Sequence, residues 1–262
     1  MVDGVLNEPL GGVALRQTGW LVFFLSVLFV AVWLAPPAHS FEGLSRFLPL
    51  HSFIETFAIV VAMLVFGIGW NAYSVERPIG IVLLSCAFLA VGLLDFAHML
   101  SYAGMPDFVT PSGVQKGIDF WLAARILAAV ALLSVALLPW KPFPSTWVRY
   151  VVLAVSLGFA LLAYWVILFH ESALPATFIA GKGLTPFKIG SEYLIVFIHL
   201  LTVGAFLAKA LKSSSDYVVY LVAAVAIMVL SELSFTLYSS VTDIFNLLGH
   251  AYKVLAYVLI YR

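Results

Sequence analysis

Charge is what this sequence has least of. Only 10% of its 262 residues are Asp, Glu, Lys or Arg, while 63% belong to the set AVILMFWYC. Soluble domains carry about 25% charged and about 45–50% apolar residues, so this inventory cannot cover a water-facing surface. Thirteen basic side chains balance thirteen acidic ones, and nucleic-acid binding, a disordered tail or a cytosolic enzyme are poor readings of such a composition. Cysteine is nearly missing too. The single Cys86 lies inside an apolar run, which excludes an intrachain disulfide and a multi-cysteine metal or iron–sulfur site. There is no nucleophile signature, phosphate loop or dinucleotide fingerprint.

Long apolar runs are what the chain has in abundance. Cut at charges and at Pro/Gly punctuation, they give eight segments: Trp20 to Ala35, Leu48 to Ala72, Ile79 to Leu100, Asp119 to Leu138, Trp147 to Phe169, Glu192 to Ala208, Tyr217 to Tyr238 and Phe245 to Tyr261. At about 20 residues per span, the expected fold is all-α, a polytopic transmembrane helical bundle of eight spans, or seven if the first is a cleaved signal. Arg16 does precede an apolar run ending near Ala35-Pro36-Pro37-Ala38. That run is slightly longer than the roughly 7–15 residues of a signal core, and a Pro pair is a poor cleavage context, so we read it as a retained span. Residues 1–19 then form a cytoplasmic tail and residues 20–262 one transmembrane domain.

An even number of spans puts both termini on one side. With the N-terminus inside, the inner face holds Arg16, Arg77, Lys141, Arg149, Lys209, Lys212 and Arg262, and the outer face holds Arg46, Lys116, Lys182 and Lys188. Seven against four favours cytoplasmic termini. The outer connections Ser101 to Ile118 and His170 to Ser191 are long, rich in Gly and Pro and carry aromatics, so they are expected to form ordered caps.

An ionisable residue at a helix centre costs at least about 2.5–3.5 kcal/mol on insertion scales, so each needs a partner or a purpose. Those present are His51 and Glu55 on the second span, Asp95 and His98 on the third, and Asp119 and Arg125 on the fourth. Glu192 and His199 lie on the sixth, Glu232 on the seventh, and His250 and Lys253 on the eighth. Although these helices alternate in direction, their polar residues fall at one depth, in the outer half. Spacing adds a direction, because residues three or four apart share a helix face. The pairs His51/Glu55, Asp95/His98, His98/Tyr102 and Trp121/Arg125, and the stripe Asn246, His250, Lys253, Tyr257, each give one wet face. They predict a polar pocket in the outer half and a dry inner half around residues such as Val60, Val65, Ile126 and Leu132.

The plainest account of that pocket is a register-fixing network in which Arg125, Lys253 and protons neutralise Glu55, Asp95 and Glu232. Three chemical readings stand beside it. His51, Glu55, Asp95, His98 and His250 form an imidazole and carboxylate set suited to a transition metal ion, zinc, copper, iron or manganese. His98 and His250 lie at depths compatible with axial ligation of haem, with Gly92 and Gly249 as weak support. Arg125 and Lys253, with Glu192, Glu232 and Asn246 among the polar groups and Tyr102, Trp121 and Tyr238 as walls, could take an organic or anionic ligand. His199, without a matched acid, reads as a satisfied core histidine, and His39 and His170 as loop residues. A sensor, a proton- or ion-coupled transporter and a membrane metalloenzyme are the function classes left open.

Six ordered blocks carry a family likeness. They are His51-Ser52-Phe53-Ile54-Glu55 with Phe66-Gly67-Ile68-Gly69-Trp70-Asn71, then Gly92 to Met105 with Asp95, His98 and Tyr102, then Phe120-Trp121-Leu122-Ala123-Ala124-Arg125. Gly183 to Lys188 with Ser191-Glu192-Tyr193, Ser231 to Tyr238, and Asn246 to Lys253 complete the set. From about Leu48 to Arg262 the chain resembles the membrane-associated sensor domain of the third type, with Ala103 standing where many members have Lys. The resemblance implies a bacterial inner-membrane input module without catalysis of its own. It also implies a cytoplasmic output domain in cis beyond Arg262: a histidine kinase, a diguanylate cyclase or a cyclic-di-GMP phosphodiesterase, often through a PAS domain. The lipid bilayer and a second copy of the chain are the other expected partners, and nucleic acid is not one.

Overall fold

The computed structural model of the protein describes residues 12–35, 44–72, 78–139, 141, 145–211, 216–238 and 240–262, with 44–46 as backbone only. Among them are eight helices: α1 (Gly12–Leu34), α2 (Leu44–Asn71), α3 (Ile79–Ser101), α4 (Val114–Leu137), α5 (Val148–Phe169), α6 (Pro186–Ala210), α7 (Asp216–Leu237) and α8 (Ile244–Tyr261). All eight are long and apolar enough to cross a membrane, where a helix satisfies its own backbone hydrogen bonds and lipid accepts its apolar sides. The all-α polytopic bundle expected from the apolar runs is therefore the fold observed.

The helices are longer at their polar ends than hydropathy alone suggests. α1 starts at Gly12 rather than Trp20, α4 at Val114 rather than Asp119, and α6 at Pro186 rather than Glu192. The start of α6 has a local cause. Thr185 caps it, its Oγ1 accepting from the Lys188 backbone N at 3.2 Å, and Pro186 occupies the first helical position, where a missing N–H costs nothing. Asp243 does the same for α8, its Oδ1 accepting from Phe245 N at 3.0 Å. His39, Arg77 and Lys212, and the side chain of Arg46, lie outside the described residues.

Contacts define a closed ring. α2 packs on α3, α3 on α4, α4 on α6, α6 on α7, α7 on α8, and α8 returns to α2. α5 lies outside this ring against α3 and α4, and α1 lies outside it against α7. Beyond Arg16 and Gln17 on α1 and Arg149 on α5, near the helix starts, both outer helices are apolar all round, the pattern of a lipid-facing span. Trp20, Phe24, Trp33, Leu161 and Trp165 are exposed on them. The Tyr252 hydroxyl of α8 donates to the Leu25 carbonyl at 2.7 Å and ties α1 to the ring.

One end of the ring is capped by the two long connections. After α5, a 3₁₀ turn (Glu171–Ala173) leads to a hairpin of β1 (Phe178–Ile179) and β2 (Gly183–Leu184). Gly181 and Gly183 turn it with φ of +78° and +85°, a region that glycine enters without a Cβ clash. Gln115 fastens this hairpin to α4. Its Nε2 donates to the Asp119 carboxylate at 3.0 and 3.1 Å and to the Pro175 carbonyl at 3.2 Å, and its Oε1 accepts from Thr177 N and Oγ1 at 2.7 and 2.9 Å. The other connection is held by the Lys116 ammonium, which donates to the carbonyls of Phe108 at 2.6 Å and Thr110 at 2.9 Å. Far from the cap the ring is apolar, around Phe88, Val91, Leu132 and Val225. It opens there into a cavity of about 520 Å³ lined by Val65, Leu84, Val135, Leu221 and Leu259 among others. Of the residues expected in the dry half, Val65 and Leu132 are buried, whereas Val60 and Ile126 face outward.

Candidate functional site

Below the cap, each of the six ring helices sends ionisable side chains into one buried layer. α2 supplies His51 and Glu55, α3 Asp95 and His98, α4 Arg125, α6 Lys188 and Glu192, α7 Glu232, and α8 His250 and Lys253. None is more than 4% exposed. The layer is therefore one network, and its pairings can be followed link by link.

The Lys253 ammonium donates to both oxygens of Glu55, at 2.6 and 2.7 Å. His250 Nδ1 stands 2.6 Å from the same Glu55 Oε1. The Arg125 Nη2 donates to both oxygens of Asp95 at 2.7 and 2.9 Å, and the Tyr257 hydroxyl to Asp95 Oδ2 at 3.1 Å. Lys253 lies 3.7 Å from Asp95 Oδ1, which joins the two pairs. A third pair, Lys188 with Glu192 at 2.7 Å, adds a bond from Lys188 Nζ to the Phe235 carbonyl at 2.8 Å and one from Trp121 Nε1 to Glu192 at 3.2 Å. Glu232 of α7 faces Glu192 and Arg125 across this layer. Three cations thus face four acids, and burial of a net charge without an external counter-ion is costly.

Trp121 sits at the centre of this layer. Arg125 lies over its ring at 4.6 Å and Lys253 at 4.7 Å, so both cations gain attraction from the indole face. The i,i+4 relation of Trp121 and Arg125, visible in the sequence, is thus a real contact.

The histidines form the distinctive part. His51, His98 and His250 pack with ring centroids 4.6, 5.3 and 5.7 Å apart. One ligand atom from each, together with one from Glu55, makes a buried group whose members all lie within 4.8 Å of one another. His98 Nδ1 is 2.7 Å from the Gly117 carbonyl. A carbonyl can only accept, so Nδ1 carries the hydrogen and the neutral ring keeps a lone pair on Nε2. That Nε2 has no hydrogen-bond partner among the described residues, and neither ring nitrogen of His51 has one. Orienting one imidazole nitrogen with a backbone carbonyl so that the other can ligate is the usual outer-shell arrangement of metal-binding histidines. Asp95, placed with these donors by spacing alone, is held by Arg125 and Tyr257 and is not one of the four.

Tyr102, Tyr238 and Asn246 lie beside the histidines. The Tyr102 ring lies 4.0 Å from that of His51, and its hydroxyl donates to the Val241 carbonyl at 2.6 Å and accepts from Asn246 Nδ2 at 3.0 Å. Burial raises the pKa of Tyr102. A cavity of about 20 Å³ lies between His98, His250, Lys188, Tyr102, Tyr238 and Asn246. That is room for one water, and far from the roughly 300–1,000 Å³ of an organic-ligand pocket. Haem fits no better, because a macrocycle cannot enter a space of about 20 Å³ beside His98 and His250.

Two lysines were hidden from the sequence reading. Lys116 and Lys188 were expected in outer loops, yet both are 1% exposed in the first turns of α4 and α6. The Thr185-Pro186 cap signature and the i,i+4 pairing with Glu192 are the signals that place Lys188 on a helix. Gly117, whose carbonyl sets the His98 tautomer, carried no signal at all. His199 is buried as expected, but neither of its ring nitrogens has a hydrogen-bond partner among the described residues. His170 ends α5 in an exposed position with its ring 4.5 Å from Trp165.

A family model described as a membrane-associated sensor domain, MASE3, matches residues 43–262. That range holds α2 to α8, hence the whole ring, and leaves α1 outside. No curated protein and no solved structure matches the chain.

Proposed function

The chain belongs to the family of membrane-associated sensor domains, and from that premise we propose that the buried layer is the input site and that its stimulus is a transition metal ion. The observation that carries this reading is the group of four: three imidazoles and a carboxylate, buried, contributed by three helices, with donor atoms within 4.8 Å of one another. Imidazole and carboxylate together suit zinc, copper, iron or manganese. A tetrahedral ion with bonds of about 2.0–2.1 Å needs its donors about 3.3 Å apart. Binding therefore draws α2, α3 and α8 toward one point, while Glu55 and His250, 2.6 Å apart, must separate.

The movement is the signal. A ligand shifts a conformational equilibrium only through different interactions with its two states, and here the ion both closes a loose donor set and disturbs the Glu55 ion pairs. α8 carries a ligand, His250, and the ion-pair partner Lys253, and leads the chain out of the ring at Tyr261. In the proposed reading it passes the shift to a cytoplasmic output domain, a histidine kinase or an enzyme of cyclic-di-GMP metabolism, from a site in the bacterial inner membrane.

The test is elemental analysis of the purified protein followed by titration with zinc, copper, iron and manganese. One ion bound per chain, lost in His51→Ala and in His98→Ala, is expected. The absence of any stoichiometric ion from both the wild-type protein and Lys253→Gln, in which the Glu55 carboxylate is released from its ammonium partner, would sink the metal reading.

A further inference from the structure

The ion pair at Glu55 has a consequence for any cation that enters this layer, because the carboxylate already has one. We propose that Lys253 is a built-in competitor for the metal site: its ammonium holds Glu55 at rest, and a dication entering among the histidines takes Glu55 and passes Lys253 to Asp95. This inference rests on the reading of the four donors as a metal site and adds what regulates it.

Three observations converge on it. First, Lys253 Nζ holds both Glu55 oxygens, at 2.6 and 2.7 Å, and His250 Nδ1 crowds the same Oε1 at 2.6 Å. An ion cannot join Oε1 and Nδ1 at that spacing, so the ammonium, the imidazole and the carboxylate must part for it. Second, an acceptor waits on the far side, since Asp95 Oδ1 is 3.7 Å from Lys253 Nζ. Asp95 is held by Arg125, whose Nε and Nη1 have no hydrogen-bond partner among the described residues. Glu232 Oε2 has none either. Arg125 thus has donors to spare as Asp95 gains the lysine. Third, Lys253 lies three residues after His250 on α8, so competitor and ligand share a helix face and cannot move independently.

The competition also sets specificity. Replacing the ammonium by a monovalent ion gains no charge at Glu55 and loses two charge-assisted hydrogen bonds. A dication that the imidazoles also ligate gains on both counts. Trp121 reports the exchange, because Lys253 lies 4.7 Å from its ring centroid and a cation leaving the indole face alters its emission.

The experiment measures Zn²⁺ and Cu²⁺ binding, and tryptophan emission during titration, for the full chain as wild type, Lys253→Gln, Lys253→Arg and His98→Ala. Lys253→Gln is expected to bind Zn²⁺ about tenfold more tightly than wild type, with a smaller change in emission. Lys253→Arg keeps the charge and holds both oxygens with a planar fork; it is expected to bind several-fold more weakly, and it decides the matter if Lys253→Gln does not fold. Binding by Lys253→Gln alone also supports the competition. Wild-type binding that His98→Ala abolishes, but that is equal in both Lys253 variants with an unchanged emission response, overturns the role of Lys253 and leaves the metal site standing. Binding by neither wild type nor Lys253→Gln overturns both.

Discussion

Glu55 shows why single substitutions in this layer are costly. It is fully buried between Lys253 and His250, and removing one partner of a buried ion pair leaves the other charge without compensation, a loss of about 3–5 kcal/mol. Glu55→Gln should therefore lower thermal stability in detergent sharply, by an amount of that order. The double variant Glu55→Gln with Lys253→Met should regain most of it, since no charge is then stranded. Additive losses in a double-mutant cycle would show that the two groups do not depend on each other. The residue types of this layer were legible, because ionisable groups inside apolar runs have few innocent explanations. Which cation meets which acid was not. Spacing put Asp95 among the histidines, and only the structure shows Arg125 reaching it from another helix, 30 residues away.

The elements that frame the layer make separate predictions. Gly249 on α8 faces Phe235 of α7 so closely that a Cβ there would come within 2.5 Å of the ring. Phe235 in turn lies 4.3 Å from Trp121 and 5.0 Å from His250. Gly249→Ala should force these rings apart at about 1–3 kcal/mol, visible as a lower melting temperature and a changed tryptophan emission. Both unchanged would show that the α7–α8 contact has room for a methyl group at Gly249. Gln115 makes a different case, since its bonds fasten a cap rather than a core. Gln115→Ala should raise proteolysis between residues 170 and 185 while global stability falls by no more than about 1–3 kcal/mol.

Helix existence was legible throughout from the length of the apolar runs, and helix ends were not, because a charge in a first turn reads as a loop. The ring was legible in hindsight. The two spans whose interiors lack ionisable residues, the first and the fifth, are the two helices outside it. What hydropathy could not supply is that α4 touches α5 only lightly and closes the ring by packing on α6.

For the molecule as a whole, the ring makes local binding a global constraint. An ion joining α2, α3 and α8 links the end of the ring to its beginning. At a hundredfold excess over its dissociation constant it should stabilise the fold by about 2.7 kcal/mol. A zinc-dependent rise in melting temperature, reversed by a chelator and absent in His98→Ala, is the expected result. A rise that persists in His98→Ala would place the ion elsewhere.

The contact of α8 with α2 also bears on how the protein is made. Glu55 and Lys253 are 198 residues apart, so at about 5–20 residues per second the second helix waits some 10–40 s for its partner. During that interval the carboxyl has neither Lys253 nor His250 beside it in lipid. An unpaired carboxylate at that depth is costly. Packing of α8 against α2, and not insertion of the first hairpins, is the moment at which the Glu55 carboxyl meets its partners.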